Sequence, residues 1–394
     1  MALKRPLLED WLRDYYYDLE VDLGCSGVED FSFGELRRLV GLRQEDLDAV
    51  VFHDSRSLGG LGVRQAVADR FARGEIGRVM VTHGSTEANF LLMNTLLTPG
   101  DEVITLAPLY QQLYGVAEGI GCRLKQWQLR FESSFRPQLE ELRRLITPET
   151  RMVIVNFPHN PTGASLTPEE QQELVRIVAK VGAYLVWDGA FAELSYDRPP
   201  LPDPLFEYER VVSMGTLSKA YGLPGLRVGW CLATPEILER FIVLRDYTLL
   251  SLSPLIERIA ERALAQADTL VSMRRQQAQR NLARLAAWVE EHQDRVQWVP
   301  PQGGVSAFLR LHPSIDVEAF CHRLAREHSI LLVPGACFGQ PQHVRLGFGG
   351  GSAGFARGLD AVSRLLHEKL PGRPGDPRTR DRGITAESPG QSNL

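Results

Sequence analysis

Short apolar runs alternate with stretches of helical spacing through the middle of the chain. The runs are rich in β-branched and aromatic residues and lie at residues 79–82, 102–106, 152–155, 184–187 and 211–214. Runs of this length predict β-strands, and the helical stretches between them predict parallel crossover connections. Strands that are apolar throughout are typically buried on both faces. The pattern therefore predicts an α/β fold with a mostly parallel sheet between helices.

The pattern changes in the second half of the chain. A long helical stretch ends near residue 292, which predicts a connecting helix at the end of a large domain at residues 46–292. After it, two strand-like runs flank a helical stretch and predict a smaller α/β domain at residues 293–370. We expect residues 1–45 to contribute to this smaller domain. Residues 371–394 have few apolar side chains and are expected to be disordered.

Composition and charge narrow the class of protein. The chain of 394 residues has 44 lysines and arginines against 49 aspartates and glutamates, so we expect no nucleic-acid partner. Its five cysteines form no CxxC pair, which argues against a metal site and fits a reducing compartment. It has no signal-peptide core and no run of about 18 apolar residues. We therefore expect a cytoplasmic protein without a membrane partner.

The strongest motif surrounds Lys219. A single lysine is usually a solvated surface charge. Here the hydroxyl residues Thr216 and Ser218 precede it, and glycines flank Arg227 farther along the chain. Glycines let the backbone approach a bulky anion, and an arginine can donate two hydrogen bonds to a phosphate. The motif therefore indicates a phosphate-bearing ligand near Lys219.

Three further motifs lie where predicted strands end. They are Asn160 in an Asn-Pro-Thr-Gly turn, Asp188 after the next strand, and the triplet Gly84, Ser85 and Thr86 at the start of a helix. Each has an ordinary structural explanation, as a turn, a turn cap or a helix cap. However, the carboxyl ends of parallel strands and the N-termini of helices are also where α/β folds bind anionic ligands.

In order and spacing, these motifs resemble those of the fold-type I pyridoxal-phosphate (PLP) enzymes, the aspartate aminotransferase superfamily, over residues 20–368. The resemblance implies the PLP-dependent transferase-like fold, with a seven-stranded sheet in the large domain. It also implies a PLP cofactor, an amino-acid substrate and a homodimer with the active site at the subunit boundary. The N-terminal segment would then lie over the active site.

The resemblance also implies a role for each matching residue. Lys219 is the catalytic residue, which holds PLP as an imine and moves protons. The implied cofactor-binding residues are Gly84, Ser85, Thr86, Tyr110, Asn160, Asp188, Thr216, Lys219 and Arg227. Among them, Asp188 would pair with the ring nitrogen of PLP and Tyr110 would stack on the ring. Arg345 would bind the substrate α-carboxylate with two hydrogen bonds.

Two positions depart from the family pattern. Phe191 stands where the family usually has a tyrosine that donates to the phenolic oxygen of PLP, so we expect a raised pKa of the lysine–PLP imine. Asp54 stands where relatives often have a tyrosine that reaches the phosphate across the dimer. Two interpretations of Asp54 stay open. In one it faces a cationic substrate, and in the other it is a loop residue in solvent.

With these departures, the N-terminal segment resembles that of the capreomycidine synthase-like cyclases, which act on hydroxylated arginine. The candidate substrate-binding residues are Arg345, Glu9, Asp30, His53, Asp54 and Gly27. The resemblance implies that water is lost from 3- or 4-hydroxyarginine and that the guanidine closes a ring of the capreomycidine or enduracididine type. A class I/II aminotransferase for a basic or aromatic amino acid needs the same cofactor residues and stays open.

Overall fold

The computed structural model describes residues 2–368, so the prediction of disorder at residues 371–394 lies outside the described residues. The helices α1 to α13 are, in chain order, Leu7–Tyr15, Phe33–Leu39, Gln44–Asp48, Leu61–Phe71, Gly84–Leu96, Gln112–Ile120, Leu139–Leu145, Pro168–Lys180, Pro235–Arg245, Pro254–Ala265, Ala267–Glu291, Val317–His328 and Ser352–His367. The strands β1 to β13 are Val21–Asp22, Val79–Thr82, Glu102–Ala107, Arg123–Gln128, Thr150–Asn156, Tyr184–Asp188, Val211–Thr216, Gly229–Leu232, Val296–Gln297, Ser306–Leu311, Ile330–Leu331, Val333–Pro334 and His343–Gly347.

Seven strands form the central sheet in the order β2-β8-β7-β6-β5-β3-β4. The pairs from β7 to β4 are parallel, and β8 lies antiparallel between β2 and β7. Strands β2, β6 and β7 are buried along their whole length, as expected for a sheet that is covered on both faces. The predicted α/β fold with a mostly parallel seven-stranded sheet is confirmed.

The hydrophobic pattern did not reveal β4 and β8. β4 has the sequence Arg-Leu-Lys-Gln-Trp-Gln and lies at the edge of the sheet, where only one of its side chains is fully buried. β8 begins at Gly229, one of the glycines that flank Arg227. A Cβ on Gly229 would lie 2.5 Å from the backbone nitrogen of Ser85. Glycine is therefore required where β8 packs against the start of α5.

Helix α8 shows why some boundaries were predictable. The backbone N–H of Glu170 donates to Oγ1 of Thr167 at 3.2 Å, and the backbone N–H of Thr167 donates to Oε2 of Glu170 at 2.8 Å. This is a capping box, which the sequence Thr-Pro-Glu-Glu at residues 167–170 predicts. Gly182, with φ of 72°, follows the helix before β6 begins. None of the helices within residues 2–368 is both long and apolar enough to cross a membrane.

The C-terminal part of the chain forms a second, smaller sheet. The order is β12-β13-β10-β9, all antiparallel. The N-terminal segment joins this part, because β1 pairs in parallel with β11. Helix α1 also packs there, since Trp11 and Tyr15 contact His322 of α12 and the indole of Trp11 donates to the carbonyl of Leu332 at 2.8 Å. The exact domain limits stay predictions.

Candidate active site

Polar side chains from several strands meet at one edge of the central sheet. Strands β5, β6 and β7 end there at Asn156, Asp188 and Thr216. Strand β8 runs the opposite way and begins there at Gly229, which pairs with Thr82 and Thr216. Because parallel strands present their carboxyl ends at one edge, residues that are distant in sequence come together at this point.

A cavity of about 390 Å³ opens at this edge. It is lined by the candidate residues Glu9, Gly84, Ser85, Thr86, Tyr110, Asn160, Asp188, Thr216, Lys219, Arg227 and Arg345. The structure thus brings together the candidate catalytic lysine, all candidate cofactor-binding residues and two of the candidate substrate-binding residues. The volume lies within the range of small-ligand pockets, roughly 300–1,000 Å³.

Lys219 has a buried amine with one side-chain hydrogen bond among the residues that the structure describes. Its Nζ donates to Oγ of Ser26 at 3.1 Å, and it lies 5.8 Å from the centre of the Phe191 ring. Burial lowers the pKa of this amine from its ordinary value, because the charged form loses its solvation. A larger fraction of the amine is therefore neutral and able to form an imine or accept a proton.

Asp188 is a buried carboxylate at the end of β6. Burial raises its pKa to about 6, although the backbone N–H of Ala190 donates to Oδ1 at 3.0 Å and favours the ionised form. Asn156, on the neighbouring strand, donates to Oδ2 of Asp188 at 3.2 Å and accepts the backbone N–H of Asn160 at 2.7 Å. Asn156 therefore holds both Asp188 and Asn160 in position.

The start of α5 and Arg227 form a corner suited to an anion. Gly84 begins the helix with φ of 70°, and a Cβ there would lie 2.9 Å from Nη2 of Arg227. Ser85 and Thr86 follow in the first helical turn. Within the described part of the chain, the guanidinium of Arg227 bonds only a backbone carbonyl, that of Pro224 at 3.2 Å. A helix N-terminus with hydroxyls and a guanidinium is typical of a phosphate site.

The residues of the cavity fit PLP. The buried carboxylate of Asp188 would be stabilised by a protonated ring nitrogen, because opposite charge favours the ionised acid. The corner at Arg227 and Gly84 can take the phosphate, and Lys219 has the neutral amine that an imine requires. Among residues 2–368, there is no group of three or more histidines, cysteines or acids arranged to hold a metal ion.

Arg345 lies on β13 and reaches the cavity from the smaller sheet. Its guanidinium donates to Oδ1 of Asn160 at 3.2 Å and to the carbonyl of Gly24 at 2.7 Å. Burial lowers its pKa from the ordinary value, and no carboxylate within residues 2–368 forms an ion pair with it. Asp22 raises this pKa only by its charge and forms no ion pair, and a buried cation without a direct ion pair is costly, so this position suits a substrate carboxylate.

Glu9 connects α1 to the wall of the cavity. Its Oε1 accepts a hydrogen bond from the hydroxyl of Tyr110 at 2.6 Å and another from the amide of Gln112 at 2.9 Å. Burial and the negative charge of Glu9 raise the pKa of Tyr110 well above its ordinary value. Tyr110 is therefore a neutral hydrogen-bond donor that is held in place from the N-terminal segment.

Four candidate substrate-binding residues do not line this cavity. Gly27 and Asp30 line a second cavity of about 320 Å³. Gly27 also lies against the backbone of Ser218, since a Cβ there would be 3.4 Å from the Ser218 carbonyl oxygen. His53 and Asp54 are exposed in the isolated chain, where Nδ1 of His53 lies 3.0 Å from the Asp54 carbonyl oxygen. A role for His53 and Asp54 in the site depends on a second subunit and stays a prediction.

The structure adds residues to the site that the sequence interpretation missed. Ser26 contacts Lys219, Asn156 positions Asp188, and Gln112 contacts Glu9. Asn156 carried a usable signal, since it directly follows one predicted strand as Asp188 directly follows the next. Ser26 and Gln112 carried none, because their contacts join segments that are far apart in the sequence.

Comparison with known proteins gives a consistent result. The family model described as aminotransferase class I and II matches residues 57–362. Capreomycidine synthase of Streptomyces vinaceus is 44% identical over 374 residues, which cover 94% of this chain and 96% of that protein. The arginine–pyruvate transaminase AruH of Pseudomonas aeruginosa is 29% identical over 300 residues, covering 73% of this chain and 76% of that protein. The crystal structure of the PLP-dependent cyclase OrfR superposes with a TM-score of 0.88 at 44% identity, covering 93% of this chain and 98% of that one.

Proposed function

This chain belongs to the aminotransferase class I and II family, and we propose that it is a cyclodehydratase for a hydroxylated L-arginine. Its cofactor is PLP. In the proposed reaction, 3- or 4-hydroxyarginine loses water and a guanidine nitrogen bonds to the side chain, which gives a cyclic arginine of the capreomycidine or enduracididine type. The names of the two relatives that are 44% identical, a capreomycidine synthase and a PLP-dependent cyclase, support this substrate class and reaction.

The observation that carries the proposal is the distribution of charge around the cavity. Arg345 is a buried cation that is suited to the α-carboxylate, and Glu9 on α1 is an acid that lines the same cavity. The second cavity is its neighbour, since Tyr16 and Cys25 line both cavities. Its acidic residues are Glu20, Asp22, Glu29 and Asp30. An amino acid with a carboxylate at one end and a guanidinium at the other matches this arrangement.

Each residue would act on a defined part of the substrate. PLP, when bound, withdraws electrons from the carbon next to the substrate nitrogen and so makes the loss of a proton and of a nearby hydroxyl feasible. The amine of Lys219 takes the α-proton and can return a proton as the hydroxyl leaves as water. Asp188 would keep the ring nitrogen of PLP protonated, and this positive charge is needed for the electron withdrawal. Arg345 would hold the substrate carboxylate so that the α-hydrogen faces Lys219.

The position of the hydroxyl group would decide the ring that forms. Loss of water from the β-carbon lets the guanidine nitrogen bond there and close a six-membered ring. A hydroxyl on the γ-carbon requires one more proton to be removed, at the β-carbon, and leads to a five-membered ring. Both reactions need the same cofactor residues and an acidic site for the guanidinium.

The alternative is an aminotransferase that acts on a basic amino acid. The similarity to an arginine–pyruvate transaminase favours this alternative. It uses the same lysine, aspartate and arginine, and differs in that the amino group is left on the cofactor and a keto acid is released.

A substrate panel tests the proposed function. The PLP-loaded protein is incubated separately with arginine, 3-hydroxyarginine and 4-hydroxyarginine without any amino acceptor, and the products are analysed by mass and NMR. We expect one hydroxyarginine to lose one water and gain a ring, whereas arginine and the Lys219→Ala variant give no such product. If neither hydroxyarginine loses water while arginine yields a keto acid once pyruvate is added, the cyclase proposal is wrong.

We also propose that the chain acts as a homodimer. The large apolar side chains that are exposed on the isolated chain include Val51, Phe52, Val243 and Tyr247. The two segments that carry them lie side by side, since a guanidinium nitrogen of Arg245 donates to the carbonyl of Ser57. A second subunit on this surface would cover the apolar groups and lie next to Asp54.

A further inference from the structure

The N-terminal segment carries a serine that contacts the catalytic lysine, and neither the sequence motifs nor the proposed reaction assigns it a role. We propose that Ser26 is a positioning residue for Lys219, whose hydroxyl holds the lysine amine in place to move the substrate proton whenever that amine is not bonded to the cofactor. The part of this inference that concerns the substrate proton rests on the proposed function.

The contact is specific within the described chain. Nζ of Lys219 donates to Oγ of Ser26 at 3.1 Å across 193 positions of sequence, and this is the one side-chain hydrogen bond of the amine among residues 2–368. Ser26 is 5% exposed and lines the cavity. On another side the amine faces the Phe191 ring, which offers no hydrogen bond. The hydroxyl is thus the polar group that fixes where the free amine lies.

The backbone around Ser26 is fixed from several directions. The backbone N–H of Val28 donates to the carbonyl of Lys219 at 3.3 Å, and Arg345 donates to the carbonyl of Gly24 at 2.7 Å. The carboxylate of Asp22 accepts the backbone N–H of Gly24 at 2.7 Å and that of the next residue at 2.8 Å. Ser26 therefore lies between the candidate carboxylate-binding arginine and the catalytic amine, on backbone that has little freedom to move.

The proposed proton transfer requires the free amine of Lys219. The unmodified amine is present when the cofactor is bonded to the substrate nitrogen, and this is when a base must remove the α-proton. A serine hydroxyl can accept from the charged amine and donate to the neutral amine, so it can hold both forms. Ser26 would keep the amine at one position while its protonation changes.

Several charged or titratable groups also shift the pKa of this amine, so a test must leave those groups unchanged. Cys25 from the N-terminal segment, Glu9 from α1 and Asp188 from β6 raise the pKa of Lys219, whereas Arg345 from β13 lowers it. Burial has the largest effect and lowers it. Removing the Ser26 hydroxyl leaves all of these groups in place and removes a hydrogen bond that is stronger to the charged amine than to the neutral one, so the pKa should fall further.

The first measurement needs no substrate and no cofactor. In the apoenzyme, the rate at which Lys219 reacts with acetic anhydride is followed from pH 6 to 11 by peptide mass spectrometry, which reports the neutral fraction of that single amine. For Ser26→Ala we expect the profile to move to lower pH by about one unit, or about tenfold in rate on the acid side. Ser26→Thr keeps a hydroxyl and should restore the wild-type profile.

The second measurement follows the proton itself in the PLP-loaded enzyme. Exchange of the α-hydrogen of L-arginine in D₂O is measured by NMR, since this step requires no leaving hydroxyl. We expect kcat for exchange to fall about 10- to 100-fold in Ser26→Ala with KM little changed, because Arg345 is untouched. Ser195→Ala is the matched control, since Ser195 is 7% exposed and bonds a backbone carbonyl away from the cavity.

The outcomes separate this inference from the proposed function. If Ser26→Ala leaves both the labelling profile and α-exchange as in the wild type, or if Ser195→Ala changes them equally, the inference is overturned. If the wild-type enzyme converts no hydroxyarginine but Ser26→Ala shifts the labelling profile, the positioning role stands and only the cyclase proposal fails.

Discussion

The guanidinium of Arg345 shows how one side chain can select the carboxylate end of a substrate. It lies on a fully buried strand, with its Cζ 5.3 Å from the centre of the Phe338 ring. It gives two hydrogen bonds to neutral acceptors, the side chain of Asn160 and the carbonyl of Gly24. Neutral acceptors compensate a buried charge only partly, so a substrate carboxylate would gain strongly by binding there.

Replacing Arg345 by lysine should weaken substrate binding more than catalysis. Lysine keeps the charge but cannot donate two parallel hydrogen bonds to a carboxylate. We expect KM for the amino-acid substrate to rise about 10- to 100-fold, in line with hydrogen bonds to charged groups of about 1.5–3 kcal/mol. Steady-state kinetics measures KM, and PLP affinity should stay unchanged. Arg310→Lys on the neighbouring strand is the control, and an unchanged KM in Arg345→Lys would refute this role.

At this scale, the sequence predicted the residues whose neighbours in the chain carry a signal. Lys219 and Arg227 lie in one short motif, and Asp188 ends a clear apolar strand. Ser26 was not predicted, because a serine next to a glycine is common in turns. Its contact with Lys219 depends on the fold, which brings residues from opposite halves of the chain together.

Helix α1 and the segment that follows it form one wall of the site. α1 packs on α12 through Trp11, and its Glu9 bonds Tyr110 at the cavity. The pairing of β1 with β11 then places Asp22 and Asp30 beside the glycine-rich stretch after β13. Acidic groups from one segment thus line both cavities.

Removing single negative charges from this wall should weaken the binding of the cationic substrate. Glu9→Gln and Asp30→Asn keep the size of each side chain and an oxygen acceptor while removing the negative charge. We expect either change to raise KM for hydroxyarginine at least about tenfold, because a charged hydrogen bond to the guanidinium is lost. Asp14→Asn, an exposed acid on α1, serves as the control in the same kinetic assay. Kinetics that stay unchanged in both variants would remove these residues from the site.

At the scale of elements, strands that are mostly polar or very short could not be predicted from the hydrophobic pattern. Apolar strands such as β5 and β6 were evident, whereas the edge strand β4 is mostly polar and β8 is only four residues long. The second cavity could not be foreseen, because it depends on the β1–β11 pairing and those strands have two residues each. Strands of that length leave no periodic pattern.

At the scale of the whole molecule, burial favours the neutral form of two of the three buried histidines within residues 2–368. Burial lowers the pKa of His159 to about 3 and that of His343 to about 4. Both lie far below the value of about 6.5 expected in the unfolded chain. Between about pH 6.5 and these lower values, the unfolded chain binds more protons than the folded one, so stability falls as the pH falls.

His343→Phe should make the protein less sensitive to acid. The ring of His343 stacks on Phe308 with centroids 4.7 Å apart, and neither ring nitrogen has a partner within the described structure, so phenylalanine fits the same place. Between pH 7 and pH 5, the wild type should lose about 2 kcal/mol of unfolding free energy through this group, and the variant should not. Urea unfolding of the apoenzyme measures this, with the exposed His312→Gln as control. An equal pH dependence in His343→Phe and the wild type would contradict the assignment.

The central claim is that this PLP site removes water and closes a ring instead of transferring an amino group. The most direct test is a single turnover of the hydroxyarginine that the enzyme accepts, with enzyme in excess and no amino acceptor. We predict a cyclic product that is lighter by one water, an amino group retained in that product, and PLP recovered as its imine with Lys219. A keto acid formed together with aminated cofactor, in amounts equal to the enzyme consumed, would contradict the account.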